Sequence, residues 1–134
     1  MIYWFYGQPG AGKTTLAKAL LEKIDAVHVD GDDIRAVFNN KDYSKEGRVK
    51  NITLINNIVR FLDHKGLNVV VAVVSPYKEI RDEMLDLNIE YYFVTTSEIR
   101  GREDYFVQDL QVGEKDTILD TTNITVNEIL SLYW

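Results

Sequence analysis

One glycine-rich segment restricts the fold of this chain more than any other feature. Residues 7–14 follow the spacing G-x-x-x-x-G-K-T, directly after an apolar run and at the start of a segment with helical patterning. Glycines at these positions let the backbone curl closely around a phosphate group. The backbone amides and the N-terminus of the following helix then supply fixed positive potential. The pattern predicts a strand, a phosphate-binding loop and a helix, in that order.

Apolar runs recur along the rest of the chain without alternating polar residues, which is typical of strands covered on both faces. They occupy residues 2–6, 26–29, 68–74, 89–94 and 117–119. Segments with helical patterning fill the intervals, at residues 13–23, 33–38, 47–65, 78–87, 97–108 and 126–132. This alternation predicts one α/β domain over residues 1–134, with a parallel five-stranded sheet flanked by helices. Ligands of such sheets bind beyond the carboxyl ends of the strands.

Composition narrows the class of protein. The 134 residues include no cysteine, which excludes disulfides and thiolate metal sites, and they carry a formal net charge of -6. A negative chain repels nucleic acid and anionic membranes before contact, so we do not expect a nucleic-acid partner. The longest later apolar run, residues 69–74, is far shorter than a membrane span, and the apolar start lacks the basic leader of a signal peptide. We expect a cytoplasmic protein without a membrane partner.

The phosphate-binding loop predicts that the chain binds ATP together with Mg²⁺. Lys13 adds a mobile full charge near the terminal phosphates, and the hydroxyl of Thr14 is a ligand for the metal ion. The residues that we expect to bind ATP in this loop are Gly7, Gln8, Pro9, Gly10, Ala11, Gly12, Lys13, Thr14 and Thr15. The alternative, a glycine-rich turn with a chance lysine, is disfavoured by the flanking strand and helix.

Charged residues gather where the second apolar run ends. They are Asp30, Asp32, Asp33 and Arg35. Phosphotransferases with such a loop usually need an acid near the metal, commonly at the end of a central strand, but here the central run, residues 69–74, ends in Ser75. The acid must therefore come from elsewhere. Asp30 is the first candidate, as the base for an attacking hydroxyl or as a Mg²⁺ contact through water; Asp32 is the second and Asp120 the third. The alternative is that the aspartates cap the following helix.

Several segments together resemble the adenylylsulfate kinases, P-loop enzymes that phosphorylate the ribose 3′-hydroxyl of adenosine 5′-phosphosulfate. The matching stretches are residues 7–15, 30–35, 42–44 with Arg48 and 51–52, 65–67, and 74–78 with Arg81. The phosphate-binding loop alone is generic, but its combination with Asp-Gly-Asp and Ser-Pro-Tyr is more specific. The resemblance covers most of the chain. It implies the three-layer P-loop NTPase fold and a kinase that yields 3′-phosphoadenosine 5′-phosphosulfate and ADP.

The resemblance also implies roles on the acceptor side of the site. Asp30 would serve the acceptor hydroxyl, Arg35 and Arg48 would hold the phosphosulfate, and Tyr43 would lie against the acceptor adenine. The remaining members of the expected substrate-binding set are Asp32, Asn51 and Ser75. An arginine fork suits a dianionic group, and an aromatic face suits a purine. The alternatives are a solvated Arg48 on its helix and a Tyr43 that packs as an ordinary aromatic residue.

The chain departs from the family in two places. Thr53 stands where the family usually has an arginine, which removes one positive contact to the acceptor. The family's lid is longer, whereas here residues 99–106 lead almost directly to the last apolar run. Arg100 and Arg102 still fit a minimal lid that stabilises charge on the leaving phosphate; the alternative is an exposed helix in which they pair with neighbouring acids. The resemblance also places Thr122 beside the donor adenine.

These observations predict an ATP-dependent kinase for a small hydroxyl acceptor, with Lys13, Asp30 and Arg100 as its catalytic residues. Adenosine 5′-phosphosulfate is the first acceptor, and a polynucleotide 5′-end, a nucleoside or a sugar is the alternative. A module that binds nucleotide without turnover is disfavoured by the intact Lys13, Thr14 and Asp30. The oligomeric state is left open, with a homodimer among the alternatives.

Overall fold

A parallel five-stranded sheet organises the fold, as the apolar runs predict. The computed structural model describes residues 1–134. The strands are β1 (Ile2–Tyr6), β2 (Val27–Asp30), β3 (Val69–Val73), β4 (Ile89–Thr95) and β5 (Thr117–Asp120). Their spatial order is β2-β3-β1-β4-β5, so the strand that precedes the glycine-rich loop lies at the centre. Every neighbouring pair is parallel, which brings the carboxyl ends of all five strands to one edge of the sheet.

Helices cover both faces of this sheet. They are α1 (Lys13–Leu21), α2 (Gly31–Val37), α3 (Lys45–His64), α4 (Lys78–Asp82) and α5 (Val126–Tyr133). On one face, α1 and α5 pack against a core cluster that includes Phe5 and Tyr92. On the other, Ile55 and Val59 of α3 pack with Trp4. None of the helices combines the length and the apolar character that crossing a bilayer requires.

Residues 97–108 do not form the predicted helix. Their one helical turn is a 3₁₀ turn at Glu103–Tyr105. Gly101 has a φ of 81°, which interrupts any α-helix, and the carboxylate of Glu103 accepts the backbone N–H groups of Arg100 and Gly101 and so stabilises a loop. Val107 is the only buried residue of the segment, so a helix there would have no apolar stripe to bury. The predicted helix was therefore wrong.

The helix after β3 is shorter than its pattern predicts. α4 ends at Asp82, and the chain continues in turns through residue 86. These turns place Met84 in the core beside α3, where its side chain is 2% exposed. Burial of the Met84 side chain thus competes with extension of α4 beyond Asp82.

Candidate active site

A cleft of about 1020 Å³ opens where the carboxyl ends of β1, β2 and β3 meet. Pockets for a single small molecule usually span about 300–1,000 Å³, so this cleft lies at the upper end of that range. The predicted site residues that line it are Pro9, Gly10, Gly12, Lys13, Thr14, Thr15, Asp30, Asp32, Arg35, Tyr43, Arg48, Asn51, Ser75, Arg100 and Arg102. Those outside its lining are Gly7, Gln8, Ala11 and Thr122. The structure thus brings together residues from distant parts of the chain.

The glycine-rich loop is held against the sheet by close packing. A Cβ atom on Gly7 would lie 2.2 Å from the carbonyl oxygen of Val94 in β4, so no larger residue fits there. Gly12 has a φ of 107° directly before α1, a conformation that favours glycine. The hydroxyl of Thr121 donates to the carbonyl of Ala11 at 2.8 Å and fixes the turn from the other side. This packing holds the loop in the compact form that a phosphate cradle needs.

Lys13 lies buried in the loop without a carboxylate in ion-pair contact. Its Nζ donates to the backbone carbonyl of Gln8 at 2.8 Å, and 9% of the residue is exposed. Burial lowers the pKa of this ammonium to about 8, although the charges of Asp32 and Asp30 oppose the change. A buried cation with a depressed pKa favours the binding of an anion, which would restore the charged form. A phosphate group in the loop would do so.

Asp30 joins the phosphate-binding loop to the second strand. Its Oδ2 accepts a hydrogen bond from the Thr14 hydroxyl at 2.9 Å, and its Oδ1 accepts one from the backbone N–H of Asp32 at 2.9 Å. The second bond makes Asp30 the N-cap of α2, whereas Asp32 and Asp33 lie in the first turn and do not cap it. Asp30 therefore caps α2, as one of the alternatives predicts. In this position its carboxylate still lines the cleft.

The oxygen atoms of Thr14 and Asp30 suit Mg²⁺, which prefers oxygen ligands. No cluster of three acidic or histidine side chains that could hold a metal ion occurs in the chain. Mg²⁺ is usually bound through one or two protein groups together with the phosphates of a nucleotide. Thr14 would be the direct ligand, with Asp30 or Asp32 acting through water.

Two arginines stand in the cleft wall opposite the loop, and neither forms an ion pair with a carboxylate. Arg35 donates to the carbonyl of Asp42 at 3.0 Å and stacks on Tyr43, with 4.1 Å between its Cζ and the ring centre. Arg48 donates to the Tyr77 hydroxyl through Nε at 3.1 Å and through Nη2 at 3.0 Å. Neutral partners orient both guanidinium groups, so their positive charge is available to an anionic ligand.

Two buried polar atoms in the same wall lack hydrogen-bond partners within the protein. They are Oδ1 of Asn51 and Oγ of Ser75, in residues that are 4% and 0% exposed. Buried polar atoms are almost always paired, so an unpaired one at a cleft indicates a ligand or water contact. Ser75 also has a φ of 40°, an unusual backbone conformation for a residue other than glycine. Both residues are thus placed to contact a ligand.

A sequence profile for the adenylylsulphate kinases matches residues 1–103, which include the phosphate-binding loop, Asp30 and both cleft arginines. The chain belongs to the adenylylsulphate kinase family. Within this family it is 40% identical over 87 residues to an adenylyl-sulfate kinase of Picosynechococcus, covering 60% of this chain and 49% of the relative. The three-layer P-loop kinase fold implied by the resemblance is confirmed.

Two further proteins, one curated relative and one solved structure, are also similar to this chain. The chain is 33% identical over 86 residues to a cytidine diphosphoramidate kinase of Campylobacter jejuni, covering 60% of this chain and 51% of that protein. An adenylylsulphate kinase of Mycobacterium tuberculosis, solved with AMPPNP and APS, superimposes with a TM-score of 0.75 over 98% of this chain and 95% of that one. At 22% identity, this structure supports the fold alone. The chain spans about half the length of several curated relatives that it matches.

The short lid of this adenylylsulphate kinase family member contacts the phosphate-binding loop. Arg100 donates to the carbonyl of Gly10 at 3.1 Å and forms an ion pair with Glu98 at 2.7 Å, so the alternative of local pairing holds for Arg100. Arg102 lines the cleft without an ion pair. Thr122 lies outside the lining, and its hydroxyl accepts the N–H of Ser97 at 2.8 Å. Its place beside the donor adenine stays a prediction.

The cleft also contains residues to which the sequence pattern assigns no role. Pro76, Asp104, Tyr105 and Phe106 line it. Tyr77 orients Arg48 from outside the lining, and its place in the Ser-Pro-Tyr segment was the available signal. The lid aromatics had no such signal, because their approach to the cleft depends on a loop path that the pattern did not predict. Thr53 is exposed and lies outside the lining.

Proposed function

We propose that this chain transfers the γ-phosphoryl group of Mg²⁺-bound ATP to the 3′-hydroxyl of adenosine 5′-phosphosulfate. The products are 3′-phosphoadenosine 5′-phosphosulfate and ADP, and the setting is sulfate assimilation in the cytoplasm. The main support for this proposal is that Arg35 and Arg48, which form no ion pair, face the same cleft as the phosphate-binding loop. A kinase for a neutral acceptor would not need this second anion site. The arginines fit a phosphosulfate.

Different residues of the cleft bind the phosphates, stabilise the leaving group and accept the proton. The backbone of the loop and Lys13 bind the β- and γ-phosphates, and Arg100 and Arg102 stabilise charge on the leaving phosphate. When bound, Mg²⁺ neutralises charge on the phosphates. The acceptor oxygen forms a bond to the γ-phosphorus while the bond from that phosphorus to the bridging oxygen breaks. Asp30 accepts the hydroxyl proton, and ADP leaves.

The acceptor wall would orient the second nucleotide. Arg35 and Arg48 hold its anionic group, and Tyr43 offers an aromatic face to its base. Asn51 and Ser75 supply the unpaired polar atoms that the acceptor would satisfy. Holding both substrates in line supplies most of the rate enhancement, because phosphoryl transfer requires little covalent work from the protein.

A second acceptor is favoured by two observations. The chain is 33% identical to a protein named as a cytidine diphosphoramidate kinase, and Thr53 stands where the resemblance leads one to expect an arginine. Because Thr53 is exposed and lies outside the cleft lining, its effect would come from the loss of one positive charge near the acceptor, which suits an acceptor with a different anionic group. The candidate is then cytidine diphosphoramidate or a similar modified nucleoside diphosphate.

Labelled ATP distinguishes these acceptors. The protein is incubated with Mg²⁺ and γ-labelled ATP, and with adenosine 5′-phosphosulfate, cytidine diphosphoramidate, a 5′-hydroxyl oligonucleotide or a simple sugar in separate reactions. We expect label in the product of the first reaction, and Lys13→Ala should abolish it while circular dichroism shows an intact fold. Product only with another acceptor would overturn the first proposal. No product with any acceptor would favour a module that binds nucleotide without turnover.

A further inference from the structure

The lid segment, defined here as residues 96–116, has very little buried surface. Every residue from 97 to 118 is at least partly exposed except Val107, which is 6% exposed. A segment with so few buried contacts does not hold its position through apolar packing. Its position over the cleft must therefore come from hydrogen bonds.

Val107 is anchored by the side chain of a residue in the phosphate-binding loop. The Nε2 of Gln8 donates to the Val107 carbonyl at 2.7 Å, and the Val107 N–H donates to the Oε1 of Gln8 at 2.8 Å. One primary amide thus satisfies both polar groups of one backbone residue, across 99 positions of sequence. We call this pair of bonds the Gln8 latch.

The latch lies between two functional parts of the lid. Before it, Arg100 contacts the phosphate-binding loop through Gly10. Just before Val107, Tyr105 and Phe106 line the cleft, and after it the N–H of Gln111 donates to the carbonyl of Pro76 at 2.8 Å, on the acceptor wall. Gln8 therefore fixes the point where the lid passes from the phosphate-binding loop to the acceptor wall.

We propose that Gln8 is a positioning residue, whose paired hydrogen bonds to Val107 hold Tyr105 and Phe106 in place for the acceptor. The donor phosphates are bound by the backbone of the loop, so loss of this side chain should affect the acceptor more than ATP. The kinetic part of this inference rests on the proposed kinase function. The structural part depends only on the latch.

The test compares Gln8→Leu with Gln108→Leu. Leucine at position 8 has a similar size but neither donor nor acceptor, whereas Gln108 is exposed, makes no hydrogen bond and adjoins Val107. Gln8→Ala serves as a second variant if leucine impairs folding. Amide hydrogen exchange of Val107 is measured by NMR, and KM for acceptor and for ATP is measured with the acceptor that the labelled assay identifies.

We expect Val107 to exchange about tenfold faster or more in Gln8→Leu and unchanged in Gln108→Leu. The acceptor KM should rise about fivefold or more, and by a larger factor than the KM for ATP. Unchanged exchange at Val107 would overturn the latch itself, and faster exchange with an unchanged acceptor KM would overturn the positioning role. If the wild-type protein phosphorylates no acceptor, the proposed function and the positioning role both fail, and the exchange result still decides whether the latch exists.

Discussion

Lys13 is a buried cation with no carboxylate partner in contact, and this determines how nucleotide binding depends on pH. Burial lowers its pKa from 10.5 to about 8, so near pH 8 about half of the nucleotide-free molecules carry a neutral Lys13. Phosphates in the loop favour the charged form and raise the pKa again. Binding near pH 8 must therefore take up a proton, whereas at pH 6.5 Lys13 is charged in both states.

We expect an uptake of about 0.5 proton per nucleotide at pH 8, falling close to zero at pH 6.5. Calorimetric titrations of Mg²⁺ and AMPPNP in buffers of different ionisation enthalpy measure this number. Lys13→Met should remove the uptake, and Lys18→Met, on the exposed side of α1, should retain it. Equal uptake in wild type and Lys13→Met would show that another group titrates.

Asp30 combines a structural role with a chemical one, and a single substitution separates them. Asparagine caps helices about as well as aspartate, so Asp30→Asn should preserve the cap of α2 and change the free energy of unfolding by less than about 1 kcal/mol. Asparagine cannot take the proton from the acceptor hydroxyl, so kcat should fall about 10²- to 10⁴-fold. Steady-state kinetics and urea unfolding give the two values. Asp33→Asn, in the first turn of the same helix, is the matched control. If Asp30→Asn kept nearly full kcat, Asp30 would not be the catalytic base.

At the scale of single residues, spacing predicted the loop well but not the details of the acceptor wall. The positions of Lys13 and Thr14 follow from the local pattern, because their neighbours in sequence are also their neighbours in space. The unpaired atoms of Asn51 and Ser75, by contrast, depend on contacts between α3 and the end of β3. The Gln8 latch joins residues far apart in sequence, and no local pattern indicates it.

Among the elements, α3 carries Arg48 and Asn51 of the acceptor wall, and its first turn is tightly packed. Ser44 caps the helix by accepting the N–H of Gly47 at 3.2 Å. A Cβ on Gly47 would lie 2.2 Å from the carbonyl oxygen of Asp42, the same oxygen that accepts a hydrogen bond from Arg35. The first turn of α3 therefore fits only a glycine at position 47.

Replacing a helical glycine by alanine usually stabilises a protein, but Gly47→Ala should destabilise this one. At an exposed helical position alanine stabilises by about 1 kcal/mol. Here the contact with Asp42 should make the variant less stable by about 1–3 kcal/mol. Urea unfolding measures the change, with Asn57→Ala, at an exposed position of α3, as a control that should not lose stability. A more stable Gly47→Ala would mean that the turn relaxes without cost.

The elements that the pattern predicted best are those with apolar faces to bury. All five strands and α3 lie within or close to their predicted bounds, because burial of apolar runs between two helical layers determines them. The predicted helix at residues 97–108 failed for the converse reason. With Val107 as its only buried residue, that segment takes its path from hydrogen bonds to Gln8 and Glu103, which periodicity does not encode.

Across the whole molecule, the two larger core clusters share the same strands. Phe5 belongs to the cluster under α1 and α5, and Trp4, its neighbour in β1, belongs to the cluster under α3. Neither cluster is complete without the central strand, so we infer that residues 1–134 unfold as one cooperative unit. This remains a prediction about domain organisation.

The two tryptophans test it, because they report from opposite faces of the sheet. Trp4 is fully buried in the cluster under α3, and Trp134 packs against Phe5 and Tyr92 on the other face, with ring centres 5.8 Å and 5.0 Å away. Trp134→Phe leaves Trp4 as the only tryptophan, and Trp4→Phe leaves only Trp134, so tryptophan fluorescence reports one face in each variant. In each variant the urea midpoint from fluorescence should coincide with the midpoint from far-ultraviolet circular dichroism. Comparison within each variant is unaffected by the stability that either substitution costs.

If fluorescence and circular dichroism gave separate midpoints in either variant, one face of the sheet would unfold without the other, and the chain would not be a single cooperative domain.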